Sequence, residues 1–268
     1  MMQKAFLFRA KVILQTSLFI LIGSFLYSVQ SDAQSKEVIN SPQKRFEISF
    51  GGGWGLYRMT RFNNRMDEVA GYVEMIGGHV DIDHIDNGPT IFGEAGYFVS
   101  RNVSVNLGVT YLGGVGSYKA NYTMTVYDYR DNASVDTFLE EGSLTATLVA
   151  PELEIKYHFP IGKPDLFFGG GVALCFGKCE GKSTFQERGA WNIDTSYKSP
   201  TITAQRIGFL TSVGGSYNLN KIISLGIEIG YRHFATGDEE EKDKHMHLGS
   251  KELDFSGPFI LGGMRLKL

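Results

Sequence analysis

The sequence has few of the residues that build disulfide-rich, zinc-binding or nucleic-acid-binding proteins. Its 268 residues include 2 cysteines, too few for a disulfide framework or a four-ligand zinc site. The formal net charge is −3, so the chain lacks the excess of basic residues that is typical of nucleic-acid-binding proteins. Proline is scarce at 7 residues, whereas glycine reaches 33 and aromatic residues 13%. Abundant glycine without proline-rich tracts argues against disorder and indicates closely packed strands.

The first 33 residues are typical of a cleaved secretory signal peptide. Three basic residues open it: Lys4, Arg9 and Lys11. A short apolar core, Leu18–Leu26, follows, and Ala33 ends a small-x-small cleavage site. The core is shorter than the roughly 20 residues that a membrane-spanning helix needs. We therefore predict export with cleavage near Ala33, a polar lead-in over residues 34–43, and one domain over residues 44–268.

The rest of the chain repeats one pattern, in which apolar and polar residues alternate with a period of two. The clearest case is Arg206–Phe234, where two alternating segments flank a tight turn at Asn218–Lys221. Such alternation is the mark of a β-strand with two different faces. It predicts eight strands: near 45–57, 90–99, 103–112, 144–159 and 165–176, two within 206–234, and one at 257–268. Connections alternate between long and short, and up-and-down antiparallel closure is the simplest topology with that rhythm.

The long connections differ in character. Residues 58–89 are polar, with a short helix expected near Phe62–Met75. Two alternating stretches around Arg130-Asp131-Asn132 predict a hairpin that stands clear of the main body. Residues Gly177–Pro200 are interpreted as a polar loop, and Ala235–Phe255 as the last loop.

The two faces of the strands indicate what each side contacts. The polar face combines glycine with charges of both signs: Arg45, Glu47, Glu94, Glu152, Glu154, Lys156, Arg206, Glu228, Arg232 and Arg265. A narrow interior needs both small residues and paired charges. Aromatic residues of the apolar face collect toward strand ends, as in interfacial girdles: Trp54, Tyr97, Tyr111, Tyr157, Phe159, Tyr217 and Tyr231. The apolar face carries almost no charge over about 9–11 residues per strand, enough to cross a bilayer. A transmembrane barrel is therefore favoured over a soluble, lipocalin-like one.

The chain from Arg45 to Leu268 resembles the small eight-stranded outer-membrane barrels of Gram-negative bacteria, the OmpA/OmpX/OmpW-like group. Its closing segment, Asp254–Leu268, resembles their last strand but ends in Leu268, where an aromatic residue is usual. The resemblance implies an all-β, eight-stranded antiparallel up-and-down transmembrane β-barrel with four long external loops and three short periplasmic turns. It also implies a place in the bacterial outer membrane. Expected partners are outer-membrane lipid, lipopolysaccharide, the barrel-assembly machinery through the last strand, and an unknown external ligand.

Two interpretations of the interior charges remain open. They form either a structural ion-pair network that plugs the barrel, or the gate of a channel for small solutes or hydrophobic compounds. Buried charges must be paired to be tolerated at all, so pairing alone favours the plug. We predict a non-enzymatic protein whose external loops serve surface contact or envelope integrity, with no catalytic residue, no metal and no cofactor.

His233 is the candidate for a catalytic role. In lipid A deacylases of the PagL type, also eight-stranded barrels, a histidine followed two positions later by serine supplies base and nucleophile. Here Ala235 takes that second position, and Thr236 lies on the opposite face. A hydroxyl that points the wrong way cannot be activated by the imidazole, so we expect His233 to be an interfacial polar side chain.

Other candidate sites are weaker. Residues 79–86 and 243–247 hold histidines and carboxylates, but neither has a complete ligand spacing for a metal ion. Cys175 and Cys179 are roughly 13 Å apart in an extended chain, beyond the ~7 Å limit for a disulfide. A turn at Phe176–Lys178 is needed to bridge them, and the sequence leaves the bridge open.

Overall fold

A computed structural model describes residues 46–127, 133–160, 164–189, 193–198, 202–235 and 253–268. The strands are β1 (Phe46–Leu56), β2 (His79–Asp83), β3 (Asn87–Phe98), β4 (Val103–Tyr127), β5 (Ala133–Pro160), β6 (Pro164–Arg188), β7 (Asp194–Lys198), β8 (Ile202–Asn218), β9 (Ile223–His233) and β10 (Gly257–Lys267). The helix α1 spans Thr60–Met75. The predicted signal peptide and lead-in lie outside the described residues.

Eight of these strands close into an antiparallel barrel. The order around the wall is β1, β3, β4, β5, β6, β8, β9, β10. β10 returns to β1, with registers running from Gly55 opposite Phe259 to Glu47 opposite Lys267. The predicted pairing of the last strand with the first is therefore confirmed. Closure satisfies backbone groups that an open edge would leave unpaired in lipid.

The apolar face of each strand points out of the barrel, as the alternation predicted. On β9, Leu225, Ile227 and Ile229 are 51%, 56% and 51% exposed. On the inner side, Lys156 is 1% exposed and Arg232 is 3% exposed. Within the described residues, no helix has both the length and the hydrophobicity needed to span a membrane.

Three strands are much longer than a bilayer crossing requires. β4, β5 and β6 contain 25, 28 and 25 residues, against about 9–11 for a tilted transmembrane strand. β4 and β5 stay paired as far as Tyr127 opposite Ala133, which confirms the predicted hairpin. We give the name projecting sheet to the part of the sheet that extends past these crossings. It contains β4 after Leu112, β5 before Val149, β6 after Phe176, and the strands β2 and β7.

The polar loop predicted at Gly177–Pro200 is wrong over most of its length. β6 continues to Arg188 and stays paired with β5, and β7 then pairs with β6. Inward positions of this part of β6 are small, as at Gly177 and Cys179, while outward Lys178 and Lys182 are exposed. The strand has left the lipid, so the apolar alternation that marked the membrane part no longer applies.

Helix α1 lies within the first long connection and confirms the helix expected near Phe62–Met75. Asn63, Met66 and Val73 recur at helical spacing and are buried. The Asn63 side chain donates to Oδ1 of Asp86 at 2.8 Å and accepts from the backbone N–H of Ile85 at 3.2 Å. The helix thereby fixes the segment that leads into β3.

Candidate functional site

Lys156 lies at the centre of the barrel interior, where three carboxylates surround its ammonium group. Nζ is 3.0 Å from each carboxylate oxygen of Glu94. The same atom is 3.1 Å from Oε2 of Glu154 and 3.3 Å from Oε2 of Glu228. Gly169 faces this group, and a Cβ there would lie 2.4 Å from Oε1 of Glu154. The absence of a side chain at Gly169 therefore makes room for the cluster.

The two interior arginines are held partly by aromatic rings. Arg265 lies 4.5 Å from the ring centroid of Phe167, and its Nη1 is 3.7 Å from Oε1 of Glu47. Arg232 lies 4.3 Å from the centroid of Phe259. Cations over ring faces gain electrostatic attraction, more so when they are desolvated. Sequence reasoning placed Phe167 and Phe259 in the wall but missed this role.

The structure brings most of the predicted interior charges together. Eight of them belong to this set, which we call the charged layer: Glu47, Glu94, Glu152, Glu154, Lys156, Glu228, Arg232 and Arg265. Arg206 occupies an inward register opposite Cys175, but its side chain is exposed. It therefore stands apart from the cluster. Arg45 lies outside the described residues.

Two small cavities lie within the charged layer among the residues that the structure describes. One cavity of about 30 Å³ is lined by Glu152, Glu154, Glu228 and Arg232, among others. A second, of about 20 Å³, lies beside Phe92 and Arg265. A water molecule needs about 10–15 Å³ of such space, so each cavity has room for one or two waters.

A chain of hydrogen bonds lies next to the charged layer, toward the short-turn end. Ser104 Oγ is 3.0 Å from Nε2 of His158, and Nδ1 of that ring is 3.0 Å from Oδ2 of Asp165. Asn106 donates to Ser104 Oγ at 3.1 Å. This is the arrangement of a serine-hydrolase triad. Ser104, however, is 0% exposed, and a nucleophile without access to substrate has a structural role. Ser104 and His158 are 54 residues apart in sequence, so their contact depends on the register of β4 and β5 and could not be predicted.

A hydrophobic layer, which we call the mouth plug, closes the long-connection end of the barrel. Loop residues Tyr57, Met59, Ile85 and Phe255 are buried there, packed on inward side chains of the wall. The Tyr57 and Phe255 rings are 5.0 Å apart. Tyr57 also donates its hydroxyl to the backbone oxygen of Gly88 at 3.1 Å. Sequence reasoning missed this layer, because its loop members show no periodicity.

The predicted interfacial aromatic residues all lie on the outer face. Toward the long-connection end are Trp54, Tyr111 and Tyr231. Toward the short-turn end are Tyr97, Tyr157, Phe159 and Tyr217. Tyr157 is less exposed than the other six, because its ring centroid lies 4.7 Å from that of Phe159 and 6.0 Å from that of Phe168. This arrangement is typical of girdles at the two edges of a membrane.

His233 has a hydroxyl partner that sequence spacing did not reveal. Its Nδ1 lies 3.0 Å from Oγ of Ser256, which comes from the segment before β10. Ser256 is 1% exposed, so its hydroxyl does not reach the outer face, where an acyl substrate would lie. The pair therefore fixes the ring at the rim and lacks an accessible nucleophile.

The remaining candidates do not assemble into sites. His84 bonds Asp67 at 2.9 Å, and Ile85 is fully buried in the mouth plug. Among the residues that the structure describes, no group of three or more histidines, cysteines or carboxylates is placed to hold a metal ion. Residues 243–247 lie outside them. Cys175 and Cys179 are both buried. They are not bridged, because β6 remains extended through Phe176–Lys178 and keeps them apart.

A closed antiparallel wall with an apolar exterior and a charged interior defines a transmembrane β-barrel protein. Residues 21–251 match the family model described as the outer membrane protein beta-barrel domain. The chain belongs to this family, and its place is the bacterial outer membrane. No protein among those with curated functions matches it.

The chain is similar to several solved structures of bacterial proteins, three of which are the following. Neisserial surface protein A shares 11% identity at a TM-score of 0.35, with 83% of this chain and 97% of that one covered. The N-terminal β-barrel domain of Pseudomonas aeruginosa OprF shares 14% at 0.32, with 84% and 98% covered. Ail of Yersinia pestis, in complex with the heparin analogue sucrose octasulfate, shares 12% at 0.30, with 82% and 99% covered.

Proposed function

We propose that this chain is a sealed, non-enzymatic outer-membrane barrel that holds the projecting sheet outside the cell for contact with an external partner. The observation that carries the proposal is the contact of Lys156 with three carboxylates in the middle of the barrel. Outer-membrane barrels have short periplasmic turns and longer extracellular loops. The long-connection end, and with it the projecting sheet, is therefore assigned to the exterior.

The interior favours a plug over a conducting path. An ion that crosses the charged layer must separate Lys156 from Glu94, Glu154 or Glu228, and each separation leaves a buried charge unpaired. Breaking a buried pair in this way costs about 3–5 kcal/mol. The mouth plug then adds a second barrier of apolar side chains at the external end. Two barriers of different chemistry in series support a resting state that does not conduct.

The projecting sheet offers a surface for contact. Val135 is 72% exposed and Tyr197 is 60% exposed, so apolar side chains face water there. β7 is a five-residue strand that pairs with β6, and its other side is an edge within the described chain. An extended segment of a partner can add to such an edge by backbone hydrogen bonds.

The resemblance to the family also implies a partner during assembly. The barrel-assembly machinery is expected to bind the unfolded chain through its last strand, β10.

Conductance in planar lipid bilayers tests the sealed state. We expect folded protein to leave the bilayer electrically silent at moderate voltage. Folding of the sample is verified beforehand by its heat-dependent gel mobility. Steady conductance steps would instead support a channel for small solutes. The non-enzymatic part has its own test: expression of the protein should leave the acyl pattern of lipid A unchanged against an empty control, as read by mass spectrometry.

A further inference from the structure

The strand β7 is an edge of the projecting sheet. Its residues are Asp194, Thr195, Ser196, Tyr197 and Lys198. On one side it pairs with β6, in the register that places Lys198 opposite Lys182. No strand of the described chain pairs with its other side. Such an edge presents backbone N–H and C=O groups to any strand that can align with it.

The sequence of β7 complements itself when two copies pair antiparallel about Ser196. Asp194 of one copy then lies opposite Lys198 of the other, and the same pair recurs at the far end of the strand. Thr195 lies opposite Tyr197, and Ser196 lies opposite its own counterpart. Opposite charges, an aromatic ring beside a β-branched side chain, and two hydroxyl groups are all favourable pairs across antiparallel strands. Every position of β7 therefore has a suitable partner in this register.

The neighbouring strand β6 makes an acidic partner for Lys198 more favourable. Lys182 and Lys198 lie directly opposite each other, and both are exposed. Like charges in this arrangement repel. A carboxylate on the other side of Lys198, as Asp194 of a second copy supplies, reduces this repulsion.

The opposite edge of the projecting sheet does not have this property. The residues of β2 are His79, Val80, Asp81, Ile82 and Asp83, and β2 pairs with β4 on one side. Antiparallel pairing of two β2 strands about their central residue places Asp81 opposite Asp81. Two carboxylates in that position repel, so self-complementarity distinguishes β7 from β2.

The direction of β7 determines where the second copy lies. β6 runs outward from Pro164 at the short-turn end, and β7 is antiparallel to it, so β7 runs back toward the membrane. Two copies in one membrane share this direction and can pair their β7 strands only in parallel. Parallel pairing in register sets Asp194 beside Asp194 and Lys198 beside Lys198. Antiparallel pairing instead needs a second copy that is inverted, as in a facing membrane.

We propose that β7 pairs antiparallel with β7 of a second copy in a facing outer membrane, so that the projecting sheets join two cells. This inference rests on the proposed function, which assigns the projecting sheet to the exterior. A contact between two five-residue strands is far smaller than a stable protein interface. A single pair is therefore weak, and adhesion comes from many copies that act together.

Cross-linking between two populations of vesicles reads the register of the contact. The full-length folded protein carries one introduced cysteine, Ser196→Cys or Asp194→Cys, and both native cysteines are replaced by alanine. Its projecting sheet faces outward, and one population carries a mass tag on the protein. In the antiparallel pair, the two Cα atoms at position 196 are about 5 Å apart, within the range for a disulfide. Those at position 194 are roughly 14 Å apart, beyond it.

Tagged and untagged chains with Ser196→Cys are expected to form mixed disulfide dimers on oxidation. Asp194→Cys should form about tenfold fewer, because its thiols are out of reach. Equal cross-linking at the two positions would show a parallel contact and overturn the proposal. Mixed dimers absent from the Ser196→Cys sample would overturn it as well.

Charge reversal separates the contact from damage to the fold. Asp194→Lys and Lys198→Asp each give β7 two like charges, so vesicles that carry either variant alone should aggregate about tenfold less than wild type. A mixture of the two variants again sets opposite charges against each other and should aggregate as wild type does. Asp81→Lys on β2 is the control and should change nothing.

A mixture that does not recover, or single variants that aggregate as wild type does, would overturn the proposal. Wild-type vesicles that do not aggregate would overturn it too. If the same wild-type protein leaves planar bilayers silent, the sealed barrel remains supported and the contact between copies alone is lost.

Discussion

Lys156 and Glu228 meet across the lumen of the barrel. Nζ of the lysine lies 3.3 Å from Oε2 of the glutamate, although β6 and β8 separate their strands in the wall. Side chains that bridge facing walls fill the space between them. The charged layer therefore affects stability as well as the passage of ions, since each buried charge depends on its partners.

Removing the central cation should strongly destabilise the barrel. Lys156→Met leaves Glu94, Glu154 and Glu228 close together without a positive charge, and the expected cost is about 3–5 kcal/mol in free energy of unfolding. Urea unfolding in lipid vesicles, followed by tryptophan fluorescence, measures it. Lys119→Met is the matched control, because the Lys119–Glu141 pair lies exposed on the projecting sheet and exposed pairs contribute little. Equal effects of the two substitutions would contradict the central role of Lys156.

The mouth plug should contribute to stability independently of the charged layer. Phe255 is 0% exposed, and Phe255→Ala is expected to cost about 3–5 kcal/mol through the cavity it leaves. Phe176→Ala serves as control, since Phe176 is 47% exposed on the outer face and leaves no cavity. Bilayers that contain Phe255→Ala should stay silent because the charged layer remains. A Phe255→Ala barrel as stable as the control would show that the plug is loosely packed.

The hairpin of the projecting sheet should weaken at high pH. Tyr118 donates its hydroxyl to Oε1 of Glu140 at 2.7 Å. Burial, and then the Glu140 carboxylate, hold the pKa of Tyr118 well above its usual value near 10. The folded hairpin thus keeps a proton that the unfolded chain loses, so the stability from this contact is present below about pH 10 and is lost as pH rises further.

Ultraviolet titration of tyrosine checks this prediction. The difference between wild type and Tyr118→Phe should show a phenol that ionises well above pH 10. A difference curve centred near pH 10 would mean that the Tyr118 hydroxyl is in water.

The two cysteines should be free and protected. Both are buried, and burial, with a smaller effect of Glu180, raises the pKa of Cys179 to about 11, so little reactive thiolate is present near neutral pH. Maleimide should add nothing to the folded protein and two labels after unfolding without reductant, as counted by mass spectrometry. No label on the unfolded chain would reveal a disulfide, and β6 would then have to turn at Phe176–Lys178.

The membrane part of the fold could be predicted from the sequence because lipid imposes one rule on every strand. Neighbouring residues such as Ile227 and Glu228 must face opposite sides of the wall. The alternation of apolar and polar residues therefore predicts which of them faces lipid and which faces the interior. Above the bilayer the rule ends. Lys178 and Cys179 on β6 still alternate in direction, but water on the outside removes the apolar signal, so the sequence predicts a loop there.

The partners within the site could not be predicted for a different reason. That Glu94, Lys156 and Glu228 face inward follows from alternation, whereas their contact depends on the register and on the width of the barrel. The mouth plug was missed because Ile85 and Phe255 come from irregular segments, where burial depends on the path of the chain. The same limit hid the contact of Ser256 with His233.

The period-two orientation of β9 tests the central claim most directly. Single spin labels are placed at positions 225, 226, 227, 228 and 229 of the vesicle-embedded protein, with both native cysteines replaced by alanine. The labels at Leu225, Ile227 and Ile229 are expected to collide often with dissolved oxygen, and those at Gly226 and Glu228 rarely, because the first three face lipid and the other two face the filled interior. The opposite phase, or equal collision rates at all five positions, would contradict a barrel with its charges sealed inside.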